Sequence, residues 1–287
     1  MPIFIESDVL TVPAHAGWLA RLQLEYACAD GRTALARREH RGPLMVQKPF
    51  YPEGPAVCHT VIVHPPGGIV GGDELEVTMH LREGSAVLVT MPGAAKWYRS
   101  PHAFAAQRLK LAVGPGAMLE WLPPETIVYN GARAKLQTGV TIEPGGSYLG
   151  WEILCLGRTA SGEKFMNGEI LQRTDLAFAD EPAWSERCVL QGGSPLLESA
   201  VGLHGAPVSA LLIAAGKEVP TEVVAQCRAV GIDDGARSGI SAFDRMLIAR
   251  YIGCSCEAAK NYFIALRKFL RPFLCGRAAV EPRIWNT

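Results

Sequence analysis

Three glycine-centred turns at nearly equal spacing constrain the fold of this chain more than any other feature. The turns are Glu83-Gly84-Ser85, Pro115-Gly116-Ala117 and Pro144-Gly145-Gly146, and Gly84, Gly116 and Gly146 lie 32 and 30 residues apart. A strand-like segment precedes each turn and an apolar one follows it. Because one such unit cannot bury its own apolar face, this repeat predicts units stacked on their neighbours. We expect a mainly β protein with a stacked, two-layer β-solenoid-like body. A plain antiparallel meander is the alternative.

The turn-rich composition agrees with many short strands, since the 287 residues include 30 Gly and 20 Pro. Alternation of apolar and polar residues over Glu74–Arg82 is typical of a strand with one buried face. After residue 205, helical spacing occurs at Pro220–Val230 and Glu257–Leu274. The predicted division is a stacked β-strand body at 1–205, a small C-terminal β-α-β-α unit at 206–275 and an extended tail at 276–287.

The charge balance restricts the classes of partner. Basic and acidic side chains number 28 each, so the formal net charge is zero. This argues against a chain-wide electrostatic contact with nucleic acid or with an anionic membrane. The first residues lack the basic segment of a signal peptide, and no apolar run approaches the roughly 18 residues of a membrane span. We expect a cytoplasmic protein without nucleic-acid or membrane partners.

Common enzyme motifs are missing from the sequence. The segment Gly157–Gly162 has the glycine interval of a phosphate loop, but Glu163 precedes Lys164 and Phe165 replaces the required Ser or Thr. Neither G-x-S-x-G nor H-E-x-x-H occurs. The sequence therefore gives no motif for nucleotide binding, serine hydrolysis or metalloprotease chemistry.

Five thiol and imidazole side chains are candidate metal ligands. Cys58, His59 and His64 share a predicted strand, but Cys58 and His64 would lie about 20 Å apart and His59 would face the other way. Cys254 and Cys256 could place two thiols on one face without a third ligand nearby. Buried structural roles are favoured for all five, with metal binding as the alternative.

Several sequence blocks carry a family resemblance. The most unusual is His64-Pro65-Pro66-Gly67-Gly68-Ile69-Val70-Gly71-Gly72-Asp73, where prolines and glycines specify a fixed backbone path. The others are Arg41-Gly42-Pro43, Gln47–Glu53, Cys58-His59, Pro92-Gly93-Ala94, Lys96–Ser100, Leu119–Pro123, Leu270-Arg271-Pro272 and Pro282–Trp285. In this order, from about residue 17 to the end, the blocks resemble the UreD family of urease accessory proteins, called UreH in some organisms.

The resemblance implies a maturation factor rather than an enzyme. Members of that family are stacks of β-strands with a small helical part. They bind the accessory protein UreF and, through it, the GTPase UreG, which hydrolyses GTP. The assembly docks on apo-urease and inserts nickel, and a tunnel through the UreD-like subunit is the proposed route. The resemblance thus implies transient Ni(II) passage and no permanently bound cofactor.

Three acidic residues are the candidate nickel ligands of such a route. Carrying the family pattern over, Asp73 matches the acid that closes the Pro-Gly segment, although capping the next turn is its alternative role. Glu152 is an acid inside an otherwise apolar strand, where burial is costly unless the carboxylate is paired or solvated. Glu186 is the third candidate, with a salt bridge to Arg187 as its alternative.

Two other functions stay open on the sequence alone. One is a metal-binding enzyme on a β-solenoid fold, which would use Cys58, His59 or His64. The other is a purely structural interaction scaffold with no metal role. A helical partner and a GTPase that co-purify with the chain would favour the maturation factor over both.

Overall fold

Two large β-sheets stacked face to face form the body of the protein in the computed structural model, which describes residues 17–179 and 181–286. The strands in chain order are β1 (Leu19–Ala29), β2 (Arg32–Arg41), β3 (Met45–Val46), β4 (Val57–Val63), β5 (Glu74–Leu81), β6 (Ala86–Thr90), β7 (Ala95–Trp97), β8 (Ala105–Val113), β9 (Met118–Trp121), β10 (Thr126–Val128), β11 (Arg133–Ile142), β12 (Ser147–Leu156), β13 (Glu169–Phe178), β14 (Glu181–Gln191), β15 (Val208–Ala215), β16 (Arg237–Phe243) and β17 (Met246–Gly253). The α-helices are α1 (Pro195–Glu198), α2 (Thr221–Arg228) and α3 (Cys256–Cys275), and short 3-10 helices occur at Thr159–Ser161 and Arg283–Asn286.

The strand order shows a stacked architecture. The seven-stranded sheet runs β14-β13-β11-β8-β5-β1-β2, and the ten-stranded sheet runs β16-β17-β15-β12-β9-β6-β4-β3 with β10 and β7 attached through β12. The central pairs β1–β5–β8–β11–β13 and β4–β6–β9–β12 are parallel, and the outer pairs of both sheets are antiparallel. The two-layer β-solenoid-like prediction is therefore confirmed, and the meander is wrong for the central strands.

The repeated turns connect the two sheets. At each turn the chain leaves a strand of the seven-stranded sheet and enters a strand of the ten-stranded sheet, as from β8 to β9. Gly84, Gly116 and Gly145 have φ of +67°, +61° and +75°, so the left-handed residue of the third turn is Gly145 and not Gly146. A hydrogen bond closes each turn, for example from the Ala117 N–H to the Gly114 carbonyl at 3.1 Å. Glycine is required because type II turns need a positive φ at their third position.

The C-terminal part is continuous with the body. Strand β15 pairs antiparallel with β12, so β15, β17 and β16 extend the ten-stranded sheet. The strand that the β-α-β-α prediction places between the two helices is a pair of strands, because Asp244 and Arg245 form a turn between β16 and β17. The predicted long helix is confirmed as α3, with the Ser255 hydroxyl accepting a hydrogen bond from the Ala258 N–H at its start. The domain boundaries at 205 and 275 stay predictions.

The ten-stranded sheet separates two apolar cores. One core fills the space between the two sheets. The other lies between the outer face of the ten-stranded sheet and helices α2 and α3. Along β12 the two sets alternate: Tyr148, Leu154 and Leu156 belong to the inter-sheet core, and Trp151 and Ile153 to the helix side. In the part of the chain that the structure describes, no helix has both the length and the apolar character of a membrane span.

Candidate functional site

Two loops at one end of the sheets pack closely against each other. They are the Pro-Gly loop (64–73) and the aromatic loop (91–100). The Ile69 N–H donates to the Lys96 carbonyl at 2.8 Å, and the Tyr98 N–H donates to the Ile69 carbonyl at 2.8 Å. A Cβ on Gly68 would lie 2.0 Å from the Tyr98 ring, and one on Gly71 would lie 1.9 Å from the Ser100 hydroxyl. The glycines thus allow a backbone approach that no side chain permits.

Replacing Gly71 by alanine is expected to destabilise the protein by about 1–3 kcal/mol, because overpacking forces backbone shifts. The added Cβ would also lie 2.7 Å from the Ala103 carbonyl oxygen, which cannot rotate away. Gly93→Ala is the matched control, since a Cβ added at Gly93 has no atom of the described residues within 4 Å, its chain neighbours apart. Thermal unfolding of both variants tests this, and equal melting temperatures would contradict it.

Asp73 is placed at the base of the Pro-Gly loop. Its two carboxylate oxygens accept hydrogen bonds from the Trp18 N–H at 2.9 Å and the Val70 N–H at 3.0 Å. The residue is buried and does not line either of the cavities described next. Asp73 thus holds the preceding loop and residue 18, and not the turn after it that its alternative role would cap. A nickel role for Asp73 stays a prediction.

A cavity of about 320 Å³ lies between the inner faces of the two sheets and reaches both loops. Its walls are mostly apolar, with Leu75, Leu109, Leu136, Trp121 and Leu154 among them. The charged or titratable side chains that line it are His64, Lys96 and Glu152. Among the residues that the structure describes, the carboxylate in the lining of this main cavity is that of Glu152 on β12.

A polar stripe crosses the inner face of the seven-stranded sheet below Glu152. In the strand register, Thr138, Thr174 and Glu186 are successive neighbours on β11, β13 and β14. Gln107 and Gln172 lie in the adjacent row. Polar side chains facing a sheet-to-sheet core are costly unless they are hydrogen-bonded or wet. Thr138 and Gln172 meet this requirement by donating to Glu152.

Glu152 crosses from β12 to this stripe. Its carboxylate accepts hydrogen bonds from the Thr138 hydroxyl at 2.6 Å and the Gln172 amide at 2.6 Å. Burial is the main cause that raises the pKa of Glu152, and the negative charge of Glu186 adds to it. The two hydrogen bonds act in the opposite direction without cancelling the effect.

A smaller cavity of about 90 Å³ begins where the main one ends, and Glu152 and Gln172 line both. Glu186 and Arg250 line the smaller cavity, and their side chains pair at 2.6 Å. The structure therefore brings Glu152 and Glu186 to one small space. The predicted partner of Glu186, Arg187, is replaced by Arg250 because residues 186 and 187 alternate across β14.

The raised pKa of Glu152 gives a testable pH dependence. The folded chain binds this proton more readily than the unfolded chain, so the residue lowers the free energy of unfolding as pH rises above about 4.5, its ordinary pKa. Glu152→Gln should therefore stabilise the protein at pH 7–8, by on the order of 1 kcal/mol, and much less at pH 4.

Glu76→Gln is the control with the opposite sign. Burial would raise the pKa of Glu76, but its hydrogen bond from Lys110 and the charges of Lys110, Arg21 and Arg108 outweigh burial and lower that pKa. The Glu76 variant should lose stability at neutral pH. Urea titrations at both pH values decide between these outcomes, and a destabilised Glu152→Gln at pH 7–8 would contradict the assignment.

The five thiol and imidazole candidates are dispersed. His64 lines the main cavity, and burial lowers its pKa. Cys58 is buried beside Thr60, and the His59 ring contacts the Glu53 carboxylate at 2.7 Å. Cys254 is exposed.

The Cys256 thiol lies beside Cys155, and this contact lowers the pKa of Cys155 to about 7. Among the described residues, no three His, Cys, Asp or Glu side chains are grouped to hold a metal ion.

A buried ion-pair network was not predicted from the sequence. Arg267 and Arg271 on α3 donate to the two oxygens of Glu120 on β9, at 2.6 and 2.8 Å. Arg271 also pairs with Glu53 at 2.7 Å, and Glu53 contacts His59. Burial alone would raise the pKa of Glu53, but the hydrogen bonds from His59 and Arg271 outweigh it and lower that pKa.

The same network holds the C-terminal tail. Arg267 donates to the Val280 carbonyl at 2.9 Å, and Arg271 donates to the Ala278 carbonyl. Trp285 follows, and its indole N–H donates to the Thr90 hydroxyl at 2.9 Å while its ring packs 5.7 Å from that of Trp151. The predicted extended tail is thus packed on the outer side of the ten-stranded sheet.

Comparison with known proteins decides the family. The family model described as UreD urease accessory protein matches residues 19–286. The chain belongs to the UreD family. It is 48% identical over 282 residues to the urease accessory protein UreD of Dechloromonas aromatica, covering 97% of this chain and 98% of the relative. It is 47% identical to UreD of Nitrosococcus oceani (94% and 90% covered) and 43% identical to UreD of Pseudomonas aeruginosa (95% and 96% covered).

Most of the blocks that carried the resemblance to UreD proteins map to two places. The Pro-Gly and aromatic loops contribute to the lining of the main cavity. Glu53, His59, Glu120 and Arg271 are members of the buried network and fall within four of the other blocks. This overlap between the blocks and the network is a sequence signal that pointed to these residues.

Proposed function

We propose that this UreD-family chain is a non-enzymatic urease maturation factor. It joins apo-urease to a complex of UreF and the GTPase UreG in the cytoplasm, and it conducts Ni(II) to the urease active site. The observation that supports the proposal is that the main and the smaller cavity adjoin between the sheets, with Glu152 at their junction. The two cavities together are called the passage. The nickel ion is cargo here and not a resident cofactor.

The donor set of the passage suits a cation in transit. Ni(II) binds nitrogen and sulfur ligands tightly, so a cage of His and Cys would retain it. Glu152 and Glu186 offer oxygen ligands beside the neutral side chains of Thr138 and Gln172. The Cys188 thiol and the His64 imidazole also line the two cavities, but among the described residues they form no such cage. Two carboxylates separated by a short polar path can pass a cation without trapping it.

Nucleotide hydrolysis is assigned to UreG. In this chain the segment with phosphate-loop spacing folds into the 3-10 turn Thr159–Ser161, and Arg158 pairs with Glu163 at 2.9 Å. Such a closed turn offers no cradle of backbone N–H groups for a phosphate. The GTP-dependent step therefore belongs to the partner in this proposal.

The two rival functions make different demands. A metal-binding enzyme on this fold would need three or more ligands around one open site. A purely structural scaffold would need no polar stripe through its core. The polar stripe favours the conduit over a purely structural scaffold. The small number of ligands around Glu152 favours it over a metal-binding enzyme.

Co-purification tests the proposal as a whole. We expect the tagged full-length chain, co-expressed with apo-urease, UreF and UreG, to recover all three proteins. Omitting the chain should leave urease depleted of nickel. Fully nickel-loaded urease in cells that lack the chain, at ordinary nickel supply, would contradict the proposal.

A further inference from the structure

The smaller cavity is bounded by two contacts that cross from one sheet to the other. At the inner boundary Glu152 reaches Thr138, and at the outer boundary Arg250 reaches Glu186. The inner contact joins β12 to β11, and the outer contact joins β17 to β14. In each sheet one strand separates the two, β15 in the ten-stranded sheet and β13 in the seven-stranded sheet. Two strand spacings place the contacts roughly 10 Å apart.

The register aligns these side chains. Glu152, Leu211 and Arg250 are successive neighbours across β12, β15 and β17. Thr138, Thr174 and Glu186 are the corresponding row of the opposite sheet. Every residue of the two rows except Thr138 lines the smaller cavity, and Cys188 of the neighbouring row on β14 lines it as well.

Arg250 stands at the open side of the cavity. Its side chain is 46% exposed and that of Glu186 is 32% exposed, in contrast to 0% for Arg267 in the buried network. The guanidinium also lies over the Trp184 ring at 5.6 Å. Exposed ion pairs contribute little to stability, so this pair can open with little loss in the free energy of unfolding.

We propose that Arg250 is a removable plug of the nickel route. Without nickel its guanidinium pairs with the Glu186 carboxylate, and a divalent cation displaces it from that carboxylate. This inference rests on the proposed conduit and names how its outer end is controlled. A guanidinium carries one positive charge, whereas Ni(II) carries two and attracts Glu186 and Glu152 more strongly from the same space. With Arg250 in place, a cation is repelled at the outer end, which limits both leakage and uptake of stray cations.

Nickel binding to the purified full-length chain tests the plug directly. Adding nickel chloride under equilibrium dialysis, we expect Arg250→Gln to bind Ni(II) at least about tenfold more tightly than the unaltered chain, since it frees one carboxylate and removes one repelling charge. Adding Glu186→Gln should abolish the gain. Arg250→Lys keeps the charge and should bind nickel about as weakly as the unaltered chain.

Arg245→Gln is the matched control. Arg245 is 43% exposed and also has one carboxylate partner, Asp244, but it does not line either cavity. Its replacement should leave nickel affinity unchanged. Unchanged nickel affinity in a folded Arg250→Gln chain would overturn the plug proposal. A gain in nickel affinity for Arg250→Lys equal to that for Arg250→Gln would overturn it as well.

A second variant covers loss of folding. If circular dichroism shows that Arg250→Gln is unfolded, Trp184→Leu removes the ring under the guanidinium and leaves both charges in place. It should raise nickel affinity in the same direction, and no increase would overturn the plug. These binding measurements are separate from nickel delivery to urease, so a failed conduit and a failed plug give different results.

Discussion

Glu120→Ala is expected to lower the free energy of unfolding by about 3–5 kcal/mol, because it leaves two guanidinium groups buried without their shared carboxylate. Arg267 and Arg271 are 0% and 1% exposed, so bulk solvent does not reach either side chain in the folded chain. Arg271 keeps its pair with Glu53, whereas the remaining partner of Arg267 among the described residues is the Val280 carbonyl. Since both arginines also bind the tail, its packing should be lost together with that of α3.

Glu74→Ala is the control for this prediction. Glu74 pairs with Arg108 on the outer face of the seven-stranded sheet, where its side chain is 52% exposed. Such a pair is worth about 0–1 kcal/mol. Urea unfolding of both variants gives the comparison, and a Glu120→Ala midpoint no lower than that of Glu74→Ala would show that the network does not stabilise the fold.

The stacked body was predictable because its signals are local. Each type II turn is specified by a few neighbouring residues, and Pro115 and Pro144 precede the left-handed Gly116 and Gly145. The split between β16 and β17 was missed because Asp244 and Arg245 carry no glycine or proline signal. The left-handed Asp244 at φ +20° was not visible in the sequence.

The buried network was not predictable from local patterns. Glu120 lies 147 residues from Arg267 and 151 from Arg271, and Glu53 lies 218 residues from Arg271. A charged residue on an apolar strand, such as Glu120 in Leu119-Glu120-Trp121, indicates that some partner exists. The partner itself is set by the packing of α3 on the sheet.

For the candidate nickel site too, the sequence indicated an acidic residue but not its partners. Glu152 stood out as a lone acid in an apolar strand, and the structure gives it a hydrogen-bonded position at the junction of two cavities. The pairing of Glu186 with Arg250 spans 64 residues and depends on which edges of the two sheets meet. The backbone partners of Asp73 likewise include Trp18, 55 residues away.

Glu152→Gln is expected to lower the nickel content of urease by about tenfold, the change that follows from a loss of roughly 1.4 kcal/mol in cation binding. The amide keeps the size of the side chain and can still accept the Thr138 hydrogen bond, but it lacks the negative charge that a cation needs. Because the residue lies inside the passage, recovery of the accessory complex should not change. The variant separates delivery from assembly.

The most direct test of the conduit is nickel per urease active site in cells co-expressing urease, its accessory proteins and each variant. Glu169→Gln is the matched control, since Glu169 pairs with Arg133 and does not line either cavity. The conduit predicts about tenfold less nickel for Glu152→Gln, less still for Glu152→Gln with Glu186→Gln, and ordinary loading for Glu169→Gln, with the accessory complex recovered in every case. Ordinary nickel loading in the Glu152→Gln, Glu186→Gln double variant would contradict it.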